Sequence, residues 1–341
     1  MLKNCVFSGI IGLLDESANL NLWRKTEVEK LHINHKKIPI ELVIIIVLLI
    51  VLGILLAVIP TRMSTKHTEK IVGLYANDTG YEIEEFEGKY GTGEETVVTS
   101  ESKYNIPVYY YEANDVSLNR VIILVHWHES NHKAMYPLAE EFLQLGYDVI
   151  LYDQRSHGEN TAGTVSFGLW ESKDLQQVVQ YVVDNYDYSN ISILGQSMGA
   201  ATVAYYSGTV HAKENVNCVI IDSAYSSMDE EISWEITKSK ESSIGRIIAG
   251  YGSMFSKLIN GFAFEDADID KMMEDNQIPT MIIHSQKDMK CPFYMGEELY
   301  QSISHNNKKF EIYEESEHLF AYWDESERYI ESVISFIDEF K

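Results

Sequence analysis

"ISILGQSMGAATVAYYS", residues 191–207, decides how this chain is read. A β-rich run stops at Gly195, and a small-residue, helix-forming run begins at Met198. Between them stands Gly195-Gln196-Ser197-Met198-Gly199, a G-x-S-x-G sequence. Alone, that pattern carries little weight. Its place between a strand and a helix gives it meaning, because a sharp strand-to-helix turn leaves no room for side chains on either side of the serine. Such a turn lifts Ser197 Oγ above the sheet edge. It also leaves the Met198 amide at a helix N-terminus, ready to donate to an oxyanion.

Working outward, strands and helices alternate. "ETVVTS", "IPVYYYEA", "VIILVH" and "YDVILYD" read as strands before the quoted stretch; "VNCVIID", "IPTMIIHS" and "KKFEIYE" read as strands after it. "AMYPLAEEFLQLG", "ESKDLQQVVQYVVDNY", "FYMGEELYQSI" and "ESERYIESVISFIDEF" have helical character. Continuous apolar strands alternating with helices predict a mostly parallel sheet covered on both faces. This is an α/β domain over residues 95–341, with a helical, Gly-punctuated lid at about 227–268. Residues 61–94 are expected to hold a juxtamembrane helix near 64–76 and a Gly-rich acidic connector, "EEFEGKYGTGEE".

A serine hydroxyl needs a base to become a nucleophile, and the base needs an orienting carboxylate. The loop "QKDMKCP" after the strand "PTMIIHS" supplies Asp288, and "ESEHLF" after "KKFEIYE" supplies His318. The order serine, acid, histidine is the one this arrangement of strands presents. Asp222, at the end of "VIID", is the rival acid. His211, His284 and His305 read as strand-end or surface residues.

From about residue 95 to its C-terminus the chain resembles the bacterial α/β-hydrolases grouped with serine aminopeptidases and acyl-peptidases, many of them membrane-anchored. The resemblance rests on six segments in order: "ILVHWH", "LYDQRSHGEN", "GQSMGA", "DSAYSS", "HSQKDMKCP" and "SEH". It implies the α/β-hydrolase fold, with Ser197 as nucleophile, Asp288 as acid, His318 as base, and the backbone amides of His128 and Met198 as the oxyanion hole. Neither a metal nor an organic cofactor is required. Two positions depart from the family pattern. Trp127 replaces the usual glycine at the oxyanion strand end, where a bulky residue is expected to redirect the backbone or narrow the acyl pocket. Ser316 replaces a glycine before the histidine.

Two motifs invite overreading. His128-Glu129-Ser130-Asn131-His132 matches H-E-x-x-H, but a zinc protease needs both histidines on one helical face. Here His128 directly follows a strand, and Ser130 or Asn131 is a natural cap for a helix starting near His132, so the five residues straddle a turn. His126 reads as a loop-shaping residue. In "DQRSHGEN", Asp153, Arg155 and His157 read as a structural turn, with Gly158 permitting the bend.

The 341 residues carry a formal charge of −25. Residues 1–70 hold nine basic and six acidic groups, so residues 71–341 hold 18 and 46, a net of −28. So acidic a domain repels a phosphate backbone, which disfavours nucleic acid as a partner. Cys5, Cys218 and Cys291 are scattered and imply no disulfide framework. "LVIIIVLLIVLGILLAVI", Leu42 to Ile59, is eighteen residues without a charge. With its flanks, 38–60, it reads as an uncleaved transmembrane anchor. Five basic residues precede it and three follow, which favours the N-terminal segment 1–37 inside and the hydrolase domain outside the cytoplasm.

The expected activity is a membrane-tethered serine hydrolase forming an acyl-enzyme on an ester, amide or peptide bond, carboxylesterase-like. A peptidase of the same fold, an acyl transferase, and a weakly active surface interaction module are the alternatives. Trp234, Ile236, Ile244, Ile247, Ile248, Phe255, Leu258, Ile259, Phe262 and Phe264 of the lid either line an acyl pocket or pack the lid onto the domain.

Overall fold

A computed structural model describes residues 39–113 and 118–341. The expectations for residues 1–37 and for Cys5 lie outside the described residues. Helix α1 (Ile40–Val58) continues into a 3-10 turn (Ile59–Thr61). Together they make the one helix among the described residues long and apolar enough to cross a membrane. Ser64 caps α2 (Thr65–Thr79), its side chain accepting from the His67 amide at 3.2 Å, and Gly80 closes it in the left-handed region.

The expected connector is partly helical. α3 (Ile83–Tyr90) forms there because Phe86 has somewhere to go: it is fully buried and stacks on Tyr136 with ring centroids 4.0 Å apart. Gly91, at φ 74°, ends it. Local glycine content suggested a linker; one aromatic anchor overrode it.

Among the described residues, eight strands form one sheet: β1 (Glu94–Thr99), β2 (Asn105–Tyr111), β3 (Arg120–Val125), β4 (Asp148–Tyr152), β5 (Asn190–Gln196), β6 (Cys218–Asp222), β7 (Thr280–Ser285) and β8 (Lys308–Tyr313). Their order is β1-β2-β4-β3-β5-β6-β7-β8. β2 runs antiparallel to its neighbours β1 and β4, and β4 through β8 are mutually parallel. Every residue of β4, β5, β6 and β7 is buried, as expected for strands covered on both faces. Alternation sorts the side chains: Val121, Ile123 and Val125 enter one core cluster, Ile122 and Leu124 the other.

The covering helices are α4 (Tyr136–Gln144), α5 (Glu171–Asn185), α6 (Met198–Ser207), α7 (Val210–Asn215), α8 (Met228–Thr237), α9 (Ser243–Ile259), α10 (Ile269–Met273), α11 (Phe293–Ser302), α12 (Ala321–Asp324) and α13 (Ser326–Glu339). α8 and α9 fall in the 227–268 segment that follows β6. From Val51 to Lys341 the chain is one compact unit. The loops leaving the C-terminal ends of β3, β5, β7 and β8 carry His128, Ser197, Asp288 and His318, so the crossover topology gathers them at one sheet edge.

Candidate active site

The turn from β5 into α6 holds Ser197 at φ 52°, ψ −116°, a strained backbone region for a residue with a side chain. The flanking glycines are a steric necessity. A Cβ on Gly195 would lie 2.3 Å from the Gly199 carbonyl oxygen, and one on Gly199 would lie 2.1 Å from the Val125 carbonyl oxygen. The Ser197 amide donates to the Asp222 carbonyl at 2.9 Å, which fixes the turn against β6.

Ser197 Oγ lies 3.0 Å from His318 Nε2, and His318 Nδ1 lies 2.7 Å from Asp288 Oδ2. Since an ionised carboxylate only accepts, Nδ1 carries the hydrogen and Nε2 is free to accept the serine proton. The fully buried Asp288 carboxylate is itself held. Its other oxygen accepts from the amides of Lys290 and Cys291, each at 2.8 Å, leaving Oδ2 for the histidine. The arrangement places a hydroxyl, an imidazole and a carboxylate in one hydrogen-bonded series, the geometry that nucleophilic catalysis by serine requires.

Asp222, the rival acid, sits elsewhere in the network. It accepts from Gln196 Nε2, Tyr329 OH and Ser223 Oγ, all within 2.9 Å, and its burial raises its pKa above the ordinary carboxylate value. It braces β5, β6 and α13 together. Of the other histidines, His284 is buried, with Nε2 donating to the Cys291 carbonyl at 2.8 Å. His211 bonds Tyr206 and Gln180 on the far helices, and His305 is not bonded to the site.

His128 and Met198 line the same cavity as Ser197. The His128 ring does not enter a metal site: its Nε2 donates to the Pro60 carbonyl at 2.9 Å, tying this loop to the end of the apolar helix. His132 turns the opposite way onto Asp153 at 2.9 Å, and Asn131 caps the turn at His132–Met135 by accepting from Lys133 N at 3.0 Å. No group of three His, Cys, Asp or Glu side chains converges on a metal-sized point among the described residues.

The D-x-R-x-H-G turn is a structural knot. Asp153 accepts from the amides of His132 and Glu159 at 2.8 Å, and a Cβ on Gly158 would strike its carboxylate at 2.3 Å. Arg155 is buried against Asp174, with Nε to Oδ2 at 2.8 Å. His157 Nε2 accepts from the Glu129 amide at 3.0 Å, so its other nitrogen donates to the Arg155 carbonyl. His126 likewise accepts from Gln154 N and donates to the Trp127 carbonyl, and burial pulls its pKa down to about 4. It is a neutral fixture of the loop.

Trp127 does not narrow the pocket. Its ring packs edge-on against Tyr75 of α2, centroids 4.7 Å apart, and it is absent from the cavity wall. The backbone there needs no positive φ. The indole finds its partner in α2 and stays out of the cavity wall.

The cavity over Ser197 has a volume of about 490 Å³, within the range of small-ligand sites. Of the ten lid residues weighed as pocket-lining or packing, only Ile236 lines it. Phe262 and Phe264 are buried in the core, while Ile244, Ile247 and Leu258 face outward. The lid's real contribution comes from Met228, Glu231, Ile232 and Glu235 of α8, two of them carboxylates that a search for apolar residues passes over. Glu231 is buried with Oε2 unpartnered, and burial pushes its pKa up to about 8. Leu52, Leu55, Leu56, Ile59 and Pro60 complete the wall, a contribution the sequence reading assigned only to anchoring.

Strand order, elbow and gathered side chains define a class: the chain has the α/β-hydrolase fold. A family model for the alpha/beta hydrolase fold matches residues 121–243, from β3 to the start of α9. The chain is similar to the uncharacterised protein YqkD of Bacillus subtilis, 27% identical over 275 residues that cover 80% of this chain and 88% of that one. In structure it resembles the Pyrococcus furiosus esterase Pf2001, with a TM-score of 0.59 and 20% identity over 78% of this chain and 94% of that one. The esterase EaEST of Exiguobacterium antarcticum superposes with a TM-score of 0.53 and 19% identity, covering 72% of this chain and all of that one.

Proposed function

We propose that this protein is a membrane-anchored serine hydrolase that cleaves carboxylic esters through an acyl-enzyme on Ser197. The carrying observation is the continuous bonded series Asp288–His318–Ser197 opening into a largely apolar cavity. Ser197 Oγ attacks the ester carbonyl while His318 Nε2 takes its proton, and the tetrahedral oxyanion is received by the backbone amides of His128 and Met198. His318 returns the proton to the leaving alcohol. Water then repeats the sequence on the acyl-serine and releases the acid. The esterases of similar fold and the apolar wall favour esters over peptides, whose backbone polar groups would be left unpaired against leucines and isoleucines. Anchoring through Ile40–Thr61 rests on its length and apolarity, and the basic flanks favour a hydrolase domain outside the cytoplasm.

The test is turnover of a p-nitrophenyl acyl ester by the full chain in detergent. Hydrolysis that Ser197→Ala or His318→Ala lowers by roughly 10³-fold or more supports the reading. Equal turnover in all three proteins contradicts it.

A further inference from the structure

The last turns of the apolar helix are part of the active site. Leu52, Leu55, Leu56 and Ile59 fall at i, i+3, i+4 and i+7, so one stripe of α1 and its 3-10 extension faces the cavity that holds Ser197. The junction is built closely. A Cβ on Gly53 would meet the Phe255 ring of α9 at 2.4 Å, and one on Gly252 would meet Leu56 Cβ at 3.3 Å. Asn260 Nδ2 donates to the Ala57 carbonyl at 2.9 Å, and the Val165 amide donates to the Thr61 carbonyl at 3.1 Å.

α9 is amphipathic in the reverse of the soluble sense. Its buried positions are small: Gly245, Ala249, Gly252, Ser253 and Ser256. Its large apolar residues point out. Ile244, Ile247, Met254 and Leu258 are spaced by three, seven and four residues and so share one face; Ile247 is 71% exposed and Leu258 76%. A lid bathed in water would place these residues inward. Because α9 packs directly on α1 at Gly53 and Gly252, the medium that solvates the end of one helix reaches the other. If Ile40–Thr61 spans a hydrocarbon layer of about 30 Å, residues 52–59 lie within one leaflet, and the cavity they line opens at that depth.

We infer that the substrate is the long-chain acyl ester of a membrane lipid, entering sideways from the leaflet between α1 and α8, whose side chains line the cavity, with the outward face of α9 seated in the bilayer. This deepens, and rests on, the serine-hydrolase reading. The acyl chain lies along Leu52, Leu55 and Leu56, where it exchanges lipid contacts for protein ones. The alcohol part carries a free hydroxyl, which Glu231 Oε2, buried at the cavity wall and without a partner, is placed to bind. Ser197 Oγ forms the new acyl bond as the ester C–O bond breaks, and the departing glycerol oxygen takes the proton from His318. Water then supplies the oxygen and proton that release the fatty acid and restore the serine.

The experiment reconstitutes the full chain in phosphatidylcholine vesicles and compares monopalmitoylglycerol in the bilayer with water-soluble monobutyrylglycerol. The palmitoyl ester should be preferred. Leu55→Trp, which fills the groove, should lower the palmitoyl-to-butyryl turnover ratio by about tenfold or more, and Leu52→Phe should lower it from the adjacent turn. Ile247→Glu should lower palmitoyl turnover in vesicles more than in detergent micelles. Fluorophosphonate labelling of Ser197 in each variant reports an intact site. Butyryl turnover with no palmitoyl turnover, or a ratio that neither groove variant changes, would overturn the lipid assignment and leave the esterase reading standing. No turnover and no labelling in the unmodified protein would overturn the hydrolase reading and the lipid assignment with it.

Discussion

Gly53 of the apolar helix and Phe255 of the lid occupy adjoining space so closely that a single added methyl on Gly53 would lie 2.4 Å from the ring. The end of α1 is therefore a wall of the hydrolase unit, not a free tether. Removing residues 1–60 would strip five lining residues from the cavity and uncover the face of α9 that receives them. The fragment 61–341 is expected to melt below the full chain in the same detergent by roughly 2–4 °C or more, which thermal melts followed by circular dichroism would measure. Equal melting temperatures would mean that α1 packs on nothing.

The two carboxylates near His318 should separate cleanly in kinetics. Asp288→Asn loses the acceptor that fixes the imidazole tautomer and is expected to lower kcat on a p-nitrophenyl ester by about 10³–10⁴-fold. Asp222→Asn disturbs three buried hydrogen bonds instead and should lower the urea midpoint while the folded protein keeps kcat within about tenfold. The reverse pattern would make Asp222 the acid.

Trp127→Gly puts in the glycine that the resemblance leads one to expect at this position, and it should be harmful. The indole is buried against Tyr75, so its loss is expected to cost about 3 kcal/mol or more in urea unfolding. Because the ring is not part of the cavity wall, KM for p-nitrophenyl butyrate should stay within about twofold. A large fall in KM would show that the ring does obstruct the pocket.

Glu231 gives a pH-dependent signature. Its folded-state pKa is raised from 4.5 to about 8 by burial, so between those values the folded protein binds more protons than the unfolded chain. Stability from this group therefore falls as pH rises through that window, and below about 4.5 the effect vanishes. Glu231→Gln removes it. The variant's melting temperature relative to the parent should become more positive by roughly 2–6 °C between pH 5 and pH 8.5. A constant difference would mean that the carboxyl ionises normally in the folded protein.

Two glycine substitutions should act in opposite directions. Gly199→Ala drives a Cβ into the Val125 carbonyl and is expected to destabilise by about 3 kcal/mol or more. Gly73→Ala, on an open face of α2 with nothing within 4 Å, should stabilise by about 0.5–1 kcal/mol. Chemical denaturation of the pair measures both.

The central strands β3 to β7 were legible because buried strands announce themselves as continuous apolar runs, and Ser197 because its turn admits only glycine two positions to either side. His318 and Asp288 were singled out by their places after β8 and β7, and the fold brings them into one bonded series with Ser197. Three features were not. α3 hides in a Gly-rich stretch because its stability comes from Phe86 meeting Tyr136, fifty residues away in sequence. Trp127 looked like an obstruction because its partner, Tyr75, belongs to a helix outside the region of resemblance. The lid misled most: outward Ile244, Ile247 and Leu258 look like pocket residues in a linear reading, and only packing shows which side of a helix is filled by glycine, alanine and serine.

The most direct test of the central claim is covalent. The full chain in detergent is treated with a fluorophosphonate, and the adduct is read by intact mass and peptide mapping. The bonded series from Asp288 through His318 predicts one adduct, on Ser197, absent from Ser197→Ala and strongly slowed in His318→Ala. A folded protein that takes no label, or takes it at another residue, would contradict the assignment of Ser197 as an activated nucleophile.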